Sequence, residues 1–344
     1  MVQFVDVDAM RRWISHEGVE PLLEDLVAYL EDDYRRWEQF DKTPRVPAHS
    51  EHGVIELMPT ADAELYGFKY VNGHPINPSR GLQTVTAFGV LSDVATGYPL
   101  LLTEMSLLTA LRTAAVSAMA ARRLARPDAR VHALIGTGSQ SEFQALAMRR
   151  LLGLNEVRAW DVDPAALDKF VRNATALGFT VHRAASGADA VDGADVVTTC
   201  TADKVNATVL TDAMVQPGMH LNAIGGDSPG KTELEPAILR RSEVFVEYHP
   251  QTLVEGEIQS VGADFPTVDL WRVIDGQRPG RTSDDQVTLF DSVGFAINDF
   301  SALRFLRDRV SGTPYATEID LIAEPTDPKD LFSLVSLAPA VSHR

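Results

Sequence analysis

The stretch Ala129-Arg-Val-His-Ala-Leu-Ile-Gly136-Thr-Gly138-Ser-Gln140, followed by a helical run and then Val157-Arg-Ala-Trp-Asp161, decides the fold class. An apolar strand enters a glycine turn, a helix follows, and a second strand ends in a carboxylate. That order is the first half of a dinucleotide-binding unit. Gly136 permits the tight turn at the strand end, and Gly138 leaves room for backbone to approach a pyrophosphate. The helix expected from about Ser139 aims its free N–H groups and positive dipole end at the phosphates. The third small position of the glycine pattern is Ser141, still small enough for helix–strand packing. Asp161 is placed to accept hydrogen bonds from a ribose diol. It would repel a 2′-phosphate, and no Arg follows directly, which favours NAD over NADP.

Working outward, the alternation continues. Helices are expected over 164–177, 188–191, 234–240 and 299–309, with strands at 180–182, 195–201, 218–225 and 244–247. Strands alternating with helices imply a parallel sheet with right-handed crossovers, whose ligands sit beyond the carboxyl ends of strands. Gly136, Asp161, Thr201 and Asp227 fall at such ends. Upstream the pattern differs. Residues 8–40 read as helical, with Trp13, Ile14, Leu22, Leu23, Leu26, Val27 and Leu30 recurring between charges. Strands follow at 54–58, 66–71, 84–91 and 98–102, separated by turn signals at Asn72-Gly73, Pro78-Ser79, Asp93 and Gly97. A long alanine-rich helix then runs from Glu104 to Leu124. The chain is therefore read as α/β. A Rossmann-like NAD-binding domain (119–317) is joined to an α+β substrate-binding and dimerisation domain (1–118 with 318–344).

Composition bounds the partners. Among 344 residues, 31 are basic and 48 acidic, a formal charge of −17. A polyanion is repelled on average, so no nucleic-acid partner is expected. Cys200 is the single cysteine, which rules out disulfides within the chain and fits a reducing cytoplasm. The N-terminus lacks the basic and apolar regions of a secretory signal, and no apolar run reaches bilayer length, so no membrane role is expected.

Several polar residues stand out. Asp227 follows Gly225-Gly226, glycines that allow close backbone approach to a ligand. It reads equally as an acid/base projecting into the cleft or as a turn residue before Pro229. Gly226-Asp-Ser228-Pro-Gly230 matches the serine-hydrolase elbow, but Pro229 denies that motif its immediate helix. Lys69 lies mid-strand between Phe68 and Tyr70, Arg112 on an apolar helix face, and Arg45 in a loop after Pro44. Each is either a carboxylate-binding cation or half of a structural ion pair. His49 and His52 read as loop residues with no further ligand pair, so no metal site is assigned. Cys200 reads as a buried strand residue.

These residues together resemble the ornithine cyclodeaminase and mu-crystallin superfamily over nearly the whole chain. The marks are Gly53-Val-Ile-Glu-Leu-Met-Pro59, Tyr66-Gly-Phe-Lys-Tyr-Val-Asn-Gly-His74, Gly81-Leu-Gln-Thr-Val-Thr-Ala-Phe-Gly89, Leu102-Thr-Glu-Met105, Thr109-Ala-Leu-Arg-Thr-Ala-Ala115, the Gly136–Gln144 turn, Asn222-Ala-Ile-Gly-Gly-Asp-Ser-Pro-Gly-Lys-Thr-Glu-Leu234 and Leu289-Phe-Asp-Ser-Val-Gly-Phe295. They look like the ornithine branch. The resemblance implies conversion of L-ornithine to L-proline and ammonia, with NAD regenerated in each cycle. It implies that Arg45, Lys69 and Arg112 hold the substrate α-carboxylate, that Glu56 helps hold the distal amine, that Val293 touches the substrate and that Asp227 is the acid/base. NAD contacts are implied for Thr84, Arg112, Ser139, Gln140, Asp161, Thr201, Leu221, Asn222, Ala223, Ile224, Lys231 and Ser292. A homodimer closing a β-barrel through the substrate domain is implied as well. The same superfamily offers a lysine cyclodeaminase, an NAD-dependent amino-acid dehydrogenase or ketimine reductase, and, in another class, a non-catalytic crystallin-like ligand carrier.

Overall fold

The computed structural model describes residues 1–202 and 207–335; positions 336–344, the end of the expected first domain, lie outside the described residues. Strand β1 (Val2–Val5) leads into helices α1 (Val7–Glu17) and α2 (Val19–Arg35). Strands β2 (Asp41–Lys42), β3 (Val46–Ser50), β4 (Gly53–Ala61), β5 (Leu65–Gly73), β6 (Ala87–Asp93) and β7 (Pro99–Glu104) follow. Helix α3 (Ser106–Leu124) ends this segment. The single helix expected over 8–40 is two, because Gly18 takes φ +85 and breaks the run. His49, expected in a loop, sits in β3, and Asn72-Gly73 is the end of β5 paired across to β4 rather than a turn. Four residues were too few for β1 to show a periodicity.

The parallel half begins with β8 (Val131–Ile135), α4 (Ser141–Leu152), β9 (Glu156–Trp160), α5 (Pro164–Ala176), β10 (Thr180–Arg183), α6 (Gly187–Val191) and β11 (Val196–Thr199). It continues with β12 (His220–Ala223), α7 (Pro236–Arg241), β13 (Glu243–Val246), α8 (His249–Glu255), β14 (Val268–Asp269), α9 (Leu270–Ile274) and β15 (Thr288–Asp291). Helix α10 (Ala296–Val310) follows, and β16 (Thr317–Ile319) returns to pair with β1.

Two eight-stranded sheets result. The second has the order β10-β9-β8-β11-β12-β15-β13-β14 and every pairing in it is parallel. Strands β11, β12 and β15 are buried at every position, as strands covered on both faces must be. The strand order reverses between β8 and β11, so the cleft beyond their carboxyl ends is the expected ligand position. The first sheet has the order β16-β1-β7-β6-β5-β4-β2, with β3 also on β4; only β1 and β7 pair in parallel.

Strand alternation sets what faces inward. On β4, Val54, Glu56, Met58 and Thr60 are buried while Ile55 and Leu57 are exposed; on β5, Gly67, Lys69 and Val71 are buried. Helix α10 covers that inner face, packing on β4, β5 and β6 as well as on α2 and α3. Gly67 and Gly89 make the approach possible. A Cβ at Gly67 would sit 3.3 Å from Phe300, and one at Gly89 would sit 2.2 Å from Met105 Sδ and 3.1 Å from Leu303. Helix α3 also touches β12 and β15, so α3 and α10 bring residues of the first sheet to the mouth of the second. No helix among the described residues is long and apolar enough to cross a membrane.

Candidate active site

At the end of β8, Gly136 has φ +96, and a Cβ there would lie 2.9 Å from the Cys200 carbonyl. The turn therefore requires glycine both for its dihedral and for the backbone pressed against it. A Cβ at Gly138 would meet nothing within 4 Å, so that side of the turn is an open cradle. Helix α4 starts at Ser141, two residues later than expected, with Gln140 as its N-cap. Ser141 is fully buried and its hydroxyl donates to the Gly138 carbonyl at 2.8 Å. Asp161, one residue past β9, accepts from Thr137 N–H at 2.5 Å and from its hydroxyl at 2.9 Å; its other oxygen accepts from Asp163 N–H at 2.9 Å. The first oxygen already accepts two hydrogen bonds and the second only one, so the second keeps a lone pair for a ribose hydroxyl. Gln140 Oε1 and Asn222 Nδ2 are buried without a hydrogen-bond partner among the described residues. An open glycine cradle, free helix N–H groups, an acidic residue and orphaned amides together fit a dinucleotide.

The β11 end connects this turn to Asp227. Cys200 Sγ donates to the Gly136 carbonyl at 3.1 Å, and burial pushes the thiol well above its ordinary pKa, an inert structural position. Thr201 donates its N–H at 3.0 Å, and its hydroxyl, to Glu233 Oε1; its carbonyl accepts from Lys231 Nζ at 3.0 Å. Lys231 is buried and also pairs with Asp227 at 3.3 Å. A ladder of buried carboxylates fixes this loop. Asp291 accepts from the N–H groups of Glu257 and Ile258, and Glu257 accepts from those of Glu233 and Leu234. Burial raises Asp291 to about 7 and Glu257 well above the usual carboxylate range. The protein's own carboxylates account for the small residues at Gly225-Gly226: a Cβ at Gly225 would sit 2.2 Å from Glu233 and one at Gly226 would sit 2.7 Å from Glu257. Ser228 lies in a turn that no helix follows before α7, unlike a hydrolase elbow.

The substrate side has two charged poles. In the first, Asp299 on α10 bridges Lys69 Nζ on β5 at 2.8 Å and Arg112 Nε on α3 at 2.9 Å. All three are buried. Burial first, then the Arg112 guanidinium, push the Lys69 ammonium down to about 7, against the pull of Asp299. In the second, Arg45 is held by Glu56 at 3.0 Å and by Glu255 at 3.1 Å, and its Nη2 donates to the carbonyls of Val293 (2.5 Å) and Gly294 (2.9 Å). Asp227, with its side chain 56% exposed, lies on the rim and feels both Arg45 and Glu255. Gly294, φ +78, separates the poles: its carbonyl meets Arg45, and a Cβ on it would lie 2.9 Å from Arg112 Nη1. Counting direct ion pairs, Lys69, Arg112 and Asp299 sum to +1. Arg45 and Lys231 with Glu56, Asp227 and Glu255 sum to −1. A molecule with a carboxylate at one end and an ammonium at the other complements both.

Arg45, Glu56, Lys69, Arg112, Val293 and Asp227 thus gather around the Val293-Gly294 segment. Arg45 is already turned to two carboxylates and belongs to the anionic pole. Ser139, Gln140 and Asp161 surround the glycine turn. Leu221, Asn222 and Ala223 form β12, Ile224 donates to the Thr199 carbonyl at 3.0 Å, and Ser292 donates to the Ala223 carbonyl at 2.9 Å. Thr84 stays in the loop after β5, its carbonyl accepting from His74 N–H at 2.9 Å. Asp299 and Glu255 were not singled out by sequence. Asp299 did fall at the start of an expected helix, but nothing local marks a partner 230 residues away. Among the described residues no cluster of three His, Cys, Asp or Glu could hold a metal ion.

A family model described as the ornithine cyclodeaminase/mu-crystallin family matches residues 8–314. The chain is 57% identical over 335 residues to the ornithine cyclodeaminase of Agrobacterium fabrum (strain C58), covering 97% of this chain and 95% of that one. A lysine cyclodeaminase solved for its recognition of L-lysine, L-ornithine and L-2,4-diaminobutyric acid superposes with a TM-score of 0.90 at 32% identity, covering 96% and 98% of the two chains. An archaeal alanine dehydrogenase dimer with bound NAD superposes with a TM-score of 0.84 at 31% identity, covering 93% and 99%.

Proposed function

Because the chain belongs to the ornithine cyclodeaminase/mu-crystallin family, we propose that it converts L-ornithine to L-proline and ammonia with NAD bound and recycled in each turnover. The observation carrying this reading is the pair of oppositely charged poles on either side of Val293-Gly294, which complement an amino acid bearing a distal ammonium. When bound, NAD supplies the oxidant that turns the Cα amine into an imine and the reductant that later restores the Cα–H bond. The glycine turn, Gln140, Asp161, Thr201, Lys231, Ser292 and the β12 end would hold it.

Lys69 and Arg112, aligned by Asp299, receive the α-carboxylate. Glu56 and Asp227 face the distal ammonium. That amine titrates near 10, so near pH 7 about three pKa units, or about 4 kcal/mol, separate it from its nucleophilic form. Asp227 on the rim takes the proton as the amine attacks the imine carbon. It then returns the proton to the departing α-nitrogen, which leaves as ammonia and closes a five-membered cyclic imine. The buried Arg45 cluster keeps water from the imine.

Turnover of L-ornithine with substoichiometric NAD tests this: proline and ammonia should form in equal amounts, in many-fold excess over NAD. Accumulation of NADH in step with a keto acid would instead identify a dehydrogenase. The likeness to a lysine cyclodeaminase makes L-lysine the substrate to compare. One methylene separates the two, so kcat/KM for L-lysine should be lower by roughly 10–200-fold.

The assembly belongs to the same proposal. Val46, Leu57, Tyr70 and Phe88 are successive cross-strand partners on β3, β4, β5 and β6. Val46, Leu57 and Phe88 are exposed, and the rings of Tyr70 and Phe88 stack at 4.9 Å. A second copy of the chain covering this apolar row gives a homodimer, in keeping with the dimer of the archaeal neighbour. The double variant Leu57→Lys, Phe88→Asp should halve the particle mass by light scattering. A mass unchanged from the parent would place the interface elsewhere.

A further inference from the structure

Glu255, the last residue of α8, is a carboxylate that the mechanism leaves without a role. Its side chain is 6% exposed and its Oε2 lies 3.1 Å from Arg45 Nε. That contact is an ion pair without hydrogen-bond alignment: Glu255 Oε2 and Arg45 Nε are both buried and lack a hydrogen-bond partner among the described residues. Arg45 has meanwhile turned Nη1 to Glu56 and Nη2 to two carbonyls. A buried carboxylate oxygen in this state awaits a donor, because the unmade bond costs its full desolvation.

The backbone holds Glu255 in place. A Cβ at Gly256 would lie 2.4 Å from Thr252 and 2.7 Å from Asp291, so the chain beyond α8 is pinned against the carboxylate ladder. The groups facing Glu255 are Arg45 from the segment before β3, Glu56 from β4 and Asp227 from the loop after β12. Three carboxylates converging on one guanidinium leave an uncompensated negative charge, and a ligand ammonium both neutralises it and brings the missing donors.

We propose that Glu255 is a further specificity-determining residue, its Oε2 accepting a hydrogen bond from the distal ammonium of the substrate beside Glu56 and Asp227. This rests on the reading of the site as one for a diamino acid. It adds a residue that admits amino acids with a distal cation and disfavours those with an apolar chain of equal length. Glu255 has its pKa raised to about 7, by burial first and by Glu56 and Asp227 in addition, so an arriving ammonium would shift it toward the ionised form.

The test measures binding, so it is independent of turnover. Calorimetry on the NADH-loaded protein compares L-ornithine with L-norvaline, which has the same carbon chain and no distal amine, in the parent and in Glu255→Gln. Ornithine affinity should fall about 10–100-fold in the variant while norvaline affinity changes less than about twofold. Equal losses for both ligands, or none for ornithine, would overturn the proposal. If the variant does not fold, the parent still decides. Near pH 7, titrations in buffers of different ionisation enthalpy should show ornithine releasing more protons than norvaline, and equal proton counts would overturn the assignment. Absence of proline formation by the parent would refute the cyclodeaminase reading alone, whatever the binding result.

Discussion

Asp227→Asn should lower kcat for L-ornithine by about 10²–10⁴-fold, the range of a lost acid/base, while leaving NAD affinity within about twofold. The asparagine keeps the size of the side chain and its turn-forming capacity but cannot take the proton that blocks nucleophilic attack. Asp227 suits the task because it lies on the rim, with its side chain 56% exposed and, among the described residues, a single ion-pair partner, Lys231 at 3.3 Å. Of the neighbouring carboxylates, Glu56 and Glu255 are buried beside the Arg45 guanidinium, and Asp291 and Glu257 accept from backbone N–H groups. Steady-state kinetics with an NAD titration on the same sample separates chemistry from folding. A variant retaining more than half the parental kcat would reduce Asp227 to its turn-forming role.

Asp299→Asn should destabilise the protein by about 3–5 kcal/mol, the usual result of removing one partner from a buried ion network, and should raise KM for L-ornithine. Lys69 and Arg112 share this single carboxylate in ion-pair contact, at 2.8 and 2.9 Å, in surroundings where Lys69 is 1% exposed. Without it two cations face each other across a buried gap. Beside the Arg112 guanidinium and without Asp299, Lys69, already pushed down to about 7, would give up its proton and its hold on the α-carboxylate. Urea unfolding checks the first part. Loss of substrate affinity in the folded fraction checks the second. A variant as stable as the parent with an unchanged KM would show that the bridge positions nothing.

The dinucleotide half was legible because each signal is local. Four of the five residues of β8 are apolar, a positive-φ glycine ends it, and Asp161 follows β9 within one residue. Lys69 was legible as an anomaly, a cation between aromatic neighbours in an apolar strand. Its partner was not, since Lys69 and Asp299 are brought together only when α10 folds back over β5. Glu255 was hidden for a similar reason: α8 is a seven-residue helix beginning His-Pro, and its relation to Arg45 is purely tertiary. At Gly225-Gly226 the glycines signalled close approach, but a sequence does not name the approaching side chains, and Glu233 and Glu257 pack there. Strands β1 and β16 are too short for a period of two to stand out.

The central claim is that the hydrogen taken from Cα is given back to the same carbon within one closed site. L-ornithine carrying deuterium at C2, turned over with substoichiometric unlabelled NAD, tests it directly. The expected result is proline retaining deuterium at Cα, with ammonia released in equal amount and no net NADH. Proline bearing protium at Cα, or a deuterated NADH pool that grows with a keto acid, would contradict it.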